Sequence, residues 1–234
     1  MQLILVAAGL VSSLAAERMM LVQGAHHRAC SFSQRLKRIG IRYILHLLPN
    51  EAQRRVYDMA RARLAEVIGQ NRALDYPTAH VTLVWSIQDE PGDREPIRAA
   101  DLIVALEEWR GSGLLTLDAR DAVHGREHLL VPLNDSPSLA ALRGHLAEAA
   151  RVIAAGPAGA RPERAGRVRE QPWPHLTFAQ EIDPERWARG RALLDAEFPG
   201  LFSESVRGGE LALVARDNEA GGGYALVHRV PLAH

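Results

Sequence analysis

Two stretches, PTAHVTLVW (Pro77–Trp85) and PWPHLTFAQ (Pro172–Gln180), decide the fold of this chain. Each reads Pro-x-x-His, an apolar residue, Thr, then another apolar residue, and the two histidines stand 95 positions apart. In an extended strand, residues i and i+2 share a face. His80 and Thr82 should therefore project together, with Val81 and Leu83 turned to a core behind them. His175 and Thr177 repeat that arrangement over Leu176 and Phe178.

The surroundings of the two stretches repeat as well. Upstream of the first, RYILHLLP is a strand-length apolar run closed by Pro49. Asn50 can cap a helix, with Gln53 at the capping-box position. Val56, Met59, Ala60, Leu64, Val67 and Ile68 recur at helical spacing, which predicts an amphipathic helix over 51–69. The first His-x-Thr strand follows over 79–87. Upstream of the second, HLLVPLND is again an apolar strand ending in Pro and Asn. Ser136 caps and Pro137 opens a helix with Leu139, Leu142, Leu146, Ala149 and Ile153 on one face. The second His-x-Thr strand falls at 174–181. A β–α–β unit ending in His-x-Thr is thus written twice.

The copies differ in length. Asn50 to His80 is 30 residues and Asn134 to His175 is 41. The excess falls in AAGPAGARPERAGRVREQPWP, read as a surface loop carrying Arg161, Arg164, Arg167 and Arg169. It is either a solvated segment or a clamp over a phosphorylated substrate. Elsewhere, 96–110 reads as a helix ended by Gly111, 114–120 as a strand, and Asp183-Pro184 as the start of a helix carrying Trp187, Leu194 and Phe198. ELALVARD and YALVHRVPL, joined by NEAGGG, form a closing hairpin. The expected class is α+β: one domain over 41–234, bilobal, with two β-α-β-type repeats whose antiparallel sheets face a central cleft.

With 234 residues the chain can bury a substantial core. Its 28 basic and 28 acidic residues balance, so a polyanion would have to be held by a local patch. Nearly all the basic residues are Arg, which suits bidentate phosphate contacts; Lys37 is the single lysine. Cys30 is the single cysteine, which excludes an intrachain disulfide and a cysteine-rich metal site. The opening MQLILVAAGLVSSLAAERMM has about sixteen mostly apolar residues, short for a membrane span. Segment 1–40 is therefore an N-terminal extension with three readings: a weak signal peptide, a helix packed on the domain, or an addition of little consequence. A cytoplasmic monomer is expected, exported instead if residues 1–16 act as a signal, with no membrane contact by the mature domain.

Two imidazoles and two hydroxyls brought to one cleft suit in-line cleavage of a phosphodiester. Such a reaction needs a base on the attacking oxygen and an acid on the departing one, and histidine titrates near neutrality. Thr82 and Thr177 can donate hydrogen bonds to the non-bridging phosphoryl oxygens. No metal, cofactor or covalent intermediate is required. A zinc hydrolase built on the same histidines would lack a third-ligand motif such as His-Glu-x-x-His. At the border of this cleft, one of Arg42/Tyr43, Arg126 or His128, and Tyr224 or His228 are substrate-contact candidates. Trp173, beside the loop, is a candidate stacking surface for a base, while Trp85 reads as core.

The motifs HVTL and HLTF, the opening RYILHLLPNEAQRR and the closing YALVHRVPL resemble the two-histidine (2H) phosphoesterase superfamily over about residues 41–232. That superfamily includes bacterial 2′–5′ RNA ligase-like proteins and cyclic nucleotide phosphodiesterases. The resemblance implies a bilobal α+β fold and metal-independent chemistry on RNA 3′ ends or small cyclic nucleotides. It matches His80 and His175 to the general acid/base pair, and Thr82 and Thr177 to the phosphate-binding hydroxyls. The expected activity is hydrolysis of 2′,3′-cyclic phosphates. The alternatives are 2′–5′ RNA ligase activity at the same site, or a protein that binds RNA ends or a phosphorylated ligand without turnover.

Overall fold

A computed structural model of the chain describes residues 41–69, 71–88, 96–113, 115–125, 128–217 and 223–233. These belong to one compact unit, Ile39–His234. The extension 1–40, Arg126 and the hairpin tip 218–222 lie outside the described residues.

In chain order the elements are β1 (Ile41–Pro49), α1 (Glu51–Ile68), β2 (Val81–Gln88), α2 (Ala99–Glu107), β3 (Leu115–Leu117), β4 (Val123–Gly125) and β5 (His128–Pro132). They continue with α3 (Pro137–Ala155), the one-turn α4 (Pro162–Ala165), β6 (Arg169–Glu170), β7 (His175–Gln180), α5 (Pro184–Glu197), β8 (Val206–Asp217) and β9 (Ala225–Pro231). The strands pair antiparallel throughout, in the order β3-β8-β1-β2-β7-β5-β4, with β9 added to β8 and β6 to β2. The fold is therefore the expected α+β architecture. Within each repeat the first strand pairs with the motif strand, β1 with β2 and β5 with β7. The two motif strands meet at the register pair Val81 opposite Leu176, and β6 of the second repeat pairs with β2 beyond it.

Local signals explain the repeated ends. Asn50 Oδ1 accepts from the Gln53 backbone N–H at 2.9 Å, and Ser136 Oγ accepts from that of Leu139 at 3.2 Å, each meeting an orphan donor of the first turn. Gln53 does not close a capping box. Its amide instead donates to the Ser205 carbonyl and accepts from the Arg207 N–H, tying the helix start to β8. There, Gly209 admits the Asn50 backbone: a Cβ at this position would lie 2.8 Å from Asn50 Cα.

The helices interlock the repeats. α1 packs behind β7 and α3 behind β2, so each motif strand is backed by the other repeat's helix. Phe178, 1% exposed, meets the Tyr57 ring edge-on at 5.9 Å, a contact between β7 and α1. Burial of such side chains stabilises by roughly 1.5–3 kcal/mol each, so neither repeat keeps its core without the other.

Two sequence expectations shift here. The buried stripe of α1 is Tyr57, Ala60, Arg61, Leu64 and Ile68, while Val56, Met59 and Val67 are exposed. That stripe has the same period, rotated about one residue, because Arg61 enters the core with polar partners. The Arg-bearing stretch of the second repeat is also more than a solvated loop. It contains α4, packed on α3, and β6, paired with β2, and it buries Arg164 and Val168.

Candidate active site

The register pair Val81–Leu176 sets the geometry. Extended by one residue each way along antiparallel strands, it puts His80 opposite Thr177 and Thr82 opposite His175. Cross-strand neighbours share a face. The four side chains thus form a square, with histidines on one diagonal and threonines on the other. All four are half-buried, while Val81, Leu83, Leu176 and Phe178 are buried behind them.

Both imidazoles are held alike. His80 Nδ1 lies 2.8 Å from the Thr78 carbonyl and His175 Nδ1 lies 3.2 Å from the Trp173 carbonyl, each two residues upstream. A carbonyl only accepts, so each Nδ1 carries the proton and each Nε2 is the reactive nitrogen.

The segment leading to His80 rests on a polar cradle from α1. Asp58 accepts from the Thr78 hydroxyl and the Ala79 N–H, both at 2.6 Å, and from Arg61 Nη1 at 3.0 Å. Arg61, 2% exposed, donates also to the Ala73 and Tyr76 carbonyls. Asn71 binds the same segment to β7, donating to the Phe178 carbonyl at 2.8 Å and accepting from the Ala73 and Gln180 N–H groups. One loop is thereby fixed to both repeats.

Two residues not singled out in the sequence complete the surroundings of His80. The buried His46 of β1 stacks on it face to face, with centroids 3.8 Å apart and planes at 8°. Tyr76 lies 4.5 Å away on the same ring and stacks in turn on Tyr224 at 3.9 Å. His46 is the lone titratable group inside the apolar run 44–49, and that is the signal that could have marked it.

Desolvation dominates the titration of the three histidines. Burial drives His80 down to about 3, helped by the nearby charges of Arg61 and His175 and opposed by the Thr78 hydrogen bond. Burial lowers His175 as well, against its bond to the Trp173 carbonyl. His46 is held well below its ordinary value by burial and by His80. A histidine depressed in the fold contributes stability above its unfolded value near 6.5, lost as pH falls toward the folded value. Stability should therefore decline below about pH 6.5, with His46 alone contributing a slope of about 1.4 kcal/mol per pH unit. Urea melts at pH 7 and pH 5 should show a smaller loss in His46→Leu; equal losses in both proteins would refute that assignment.

The border candidates separate. Tyr43 is buried at 4% exposure, on the face opposite His46; its neighbour Arg42 is the one that shares the His46 face. Strand alternation, with Leu45 and Leu47 also buried, is the reason. Tyr224 joins the site through Tyr76. His228 is instead 2.7 Å from Glu107 of α2, and so belongs to the helix-covered face. Trp173 is 42% exposed with its ring 4.4 Å from His175. Trp85 is not core: it too is 42% exposed. The register of β2 against β1 slips at Leu83, between the Thr82–His46 and Val84–Leu45 pairs, and again before the Ile87–Tyr43 pair, so Trp85 sits between two irregularities that break the strand's alternation. His128 of β5 stands opposite Gln180 of β7, and its charge adds to the lowering of His175. Among the described residues no group of three or more His, Cys, Asp or Glu side chains is placed to hold a metal ion, and no helix is long and apolar enough to cross a membrane.

This antiparallel sheet with two neighbouring His-x-Thr strands has the fold of the Escherichia coli LigT structures. Among solved structures it is similar in particular to Escherichia coli LigT complexed with 3′-AMP, at 19% identity and a TM-score of 0.51 over 83% of this chain and 99% of that one. LigT complexed with NADP+ gives 20% identity and a TM-score of 0.50, over 83% of this chain and 99% of that one. A structure described as a phosphoesterase gives 18% and 0.50, over 85% of this chain and 100% of that one. At these identities the likeness establishes the fold. No protein-family model and no curated protein matches the chain by sequence.

Proposed function

We propose that this protein is a metal-independent phosphodiesterase that opens 2′,3′-cyclic phosphates of RNA ends or nucleotides, with His80 and His175 as general base and general acid. The observation that carries the reading is the register that crosses the two motifs, because it opposes the imidazoles across one small polar patch. A bound phosphate there would have a nitrogen base on each side, as an in-line displacement needs. The likeness to LigT structures, one of which holds 3′-AMP, agrees with a nucleotide ligand.

The two histidines divide the labour. Burial lowers both histidines, and we assign the one proton that the pair shares to His175. His80 Nε2 then takes a proton from water as the water oxygen bonds to phosphorus. The bond from phosphorus to one ribose oxygen breaks, and His175 Nε2 delivers its proton to that oxygen. Water and cyclic diester become a monoester, with the proton now on His80 and returned through solvent. The substrate's negative charge, entering a desolvated site, raises both histidines toward neutrality. Thr82 and Thr177, on the other diagonal, donate to the two non-bridging oxygens as charge develops on them.

Thr82→Val and Thr177→Val, close in volume but without a hydroxyl, should each lower kcat by roughly a hundredfold while the fold is kept. Steady-state turnover of a nucleoside 2′,3′-cyclic phosphate tests this, and an undiminished kcat in both variants would remove the hydroxyls from the mechanism.

A further inference from the structure

On the sheet face that carries His46, the register sets Arg42 of β1 directly opposite Arg216 of β8. Like charges opposed across a strand pair destabilise it. Among the described residues no carboxylate pairs with either guanidinium, whereas Arg54, Arg63, Arg151 and Arg191 each hold one. Arg42 makes a long 3.4 Å bond to Gln88 Oε1, and its Nε is buried without a partner. Arg216 Nη1 donates to the Tyr224 hydroxyl at 3.2 Å, and its Cζ lies 5.0 Å from that ring's centroid.

The pair is connected to the catalytic square by two stacked tyrosines. The Tyr76 ring is 4.5 Å from His80 and stacked on Tyr224, and its hydroxyl feels the charges of both Arg216 and Arg42. Two stacked tyrosines, Tyr76 and Tyr224, therefore link His80 to the Arg216 guanidinium, with Arg42 opposite it on the neighbouring strand.

We propose that Arg42 and Arg216 form a second phosphate subsite, which holds a phosphoryl group one nucleoside away from the scissile one. The inference rests on the phosphodiesterase reading and narrows its substrate to molecules with two phosphates: an oligoribonucleotide end, or a nucleotide phosphorylated also at its 5′ position. An anion between the guanidiniums turns their repulsion into two charge-assisted contacts and gives the buried Arg42 Nε an acceptor.

Binding to unreactive products tests the subsite without requiring turnover. Dissociation constants for adenosine 3′-monophosphate, adenosine 3′,5′-bisphosphate and the dinucleotide ApAp would be measured by calorimetry on the full chain, Arg42→Gln, Arg216→Gln and Arg42→Lys. The wild type should bind at least one two-phosphate ligand tenfold or more tighter than the monophosphate, the order expected for a charged hydrogen bond. A preference for ApAp identifies the internucleotide phosphate, and one for the bisphosphate identifies the 5′-phosphate. Either glutamine variant should shrink that ratio about tenfold, and Arg42→Lys should keep more of it than Arg42→Gln. A wild-type ratio near one, or a ratio untouched in both glutamine variants, overturns the subsite. Turnover of cyclic phosphates with a ratio near one removes the subsite alone. A ratio that behaves as expected without turnover removes the catalytic reading and keeps the subsite.

Discussion

His80→Ala and His175→Ala are each expected to lower kcat on a 2′,3′-cyclic phosphate by roughly 10²–10⁴-fold, the usual contribution of one positioned proton-transfer group. KM should change far less, since the hydroxyl donors on the other diagonal remain. The double variant should fall little below the worse single one, because an acid and a base acting in one displacement fail together. Neither change should unfold the protein: both rings are half-buried and lie on the cleft face rather than in the core. Steady-state kinetics of the three variants reads this directly. An undiminished rate in either single variant would take that histidine out of the chemistry.

The second large effect lies one helix away from the reacting atoms. Asp58→Ala removes the acceptor for the Thr78 hydroxyl, the Ala79 N–H and Arg61 at once. Arg61 is buried and its ordinary pKa is already lowered by desolvation against the support of Asp58. Removing one partner of a buried pair costs about 3–5 kcal/mol; Asp58 retains 39% side-chain exposure, which places the expected loss near about 3 kcal/mol. The loop from Asn71 to His80 loses its anchor, and with it the Thr78 carbonyl that orients the His80 ring. Urea denaturation should show the lost stability, and kcat should fall more than KM rises where the variant is still folded. Wild-type stability in Asp58→Ala would show that the cradle is not what holds this loop.

The repeated His-x-Thr phrase carries most of the fold because it is a strand signal and a chemical signal together. Period-two alternation places the polar pair on one face, and the pattern iBiB from His175 to Phe178 follows it. Caps at Asn50 and Ser136 were equally legible, since one local side-chain bond decides each. Alternation could also state that Arg42 and Tyr43 face opposite ways; it could not state which way, since that depends on β8. Trp85 escapes the alternation for a related reason, as it lies between two register slips of β2 against β1 that no local period announces. Tyr76 and the Asp58–Arg61 cradle join positions distant in sequence through tertiary contacts, and no period announces them. His46 differs: a titratable residue in an apolar strand is visible, and its stacking on His80 shows why such a residue merits a functional question.

The central claim is that a crossed pair of His-x-Thr strands performs acid–base cleavage of a cyclic phosphate with no metal. It is tested most directly by incubating the purified wild-type protein, in EDTA, with the four nucleoside 2′,3′-cyclic phosphates and a short RNA ending in one, and resolving 2′- from 3′-monophosphate products. The account predicts turnover of at least one of them to a single regioisomer, since His175 can protonate only the oxygen held on its own side. No product from any of the five, or product that appears only when a divalent metal is restored, would contradict it.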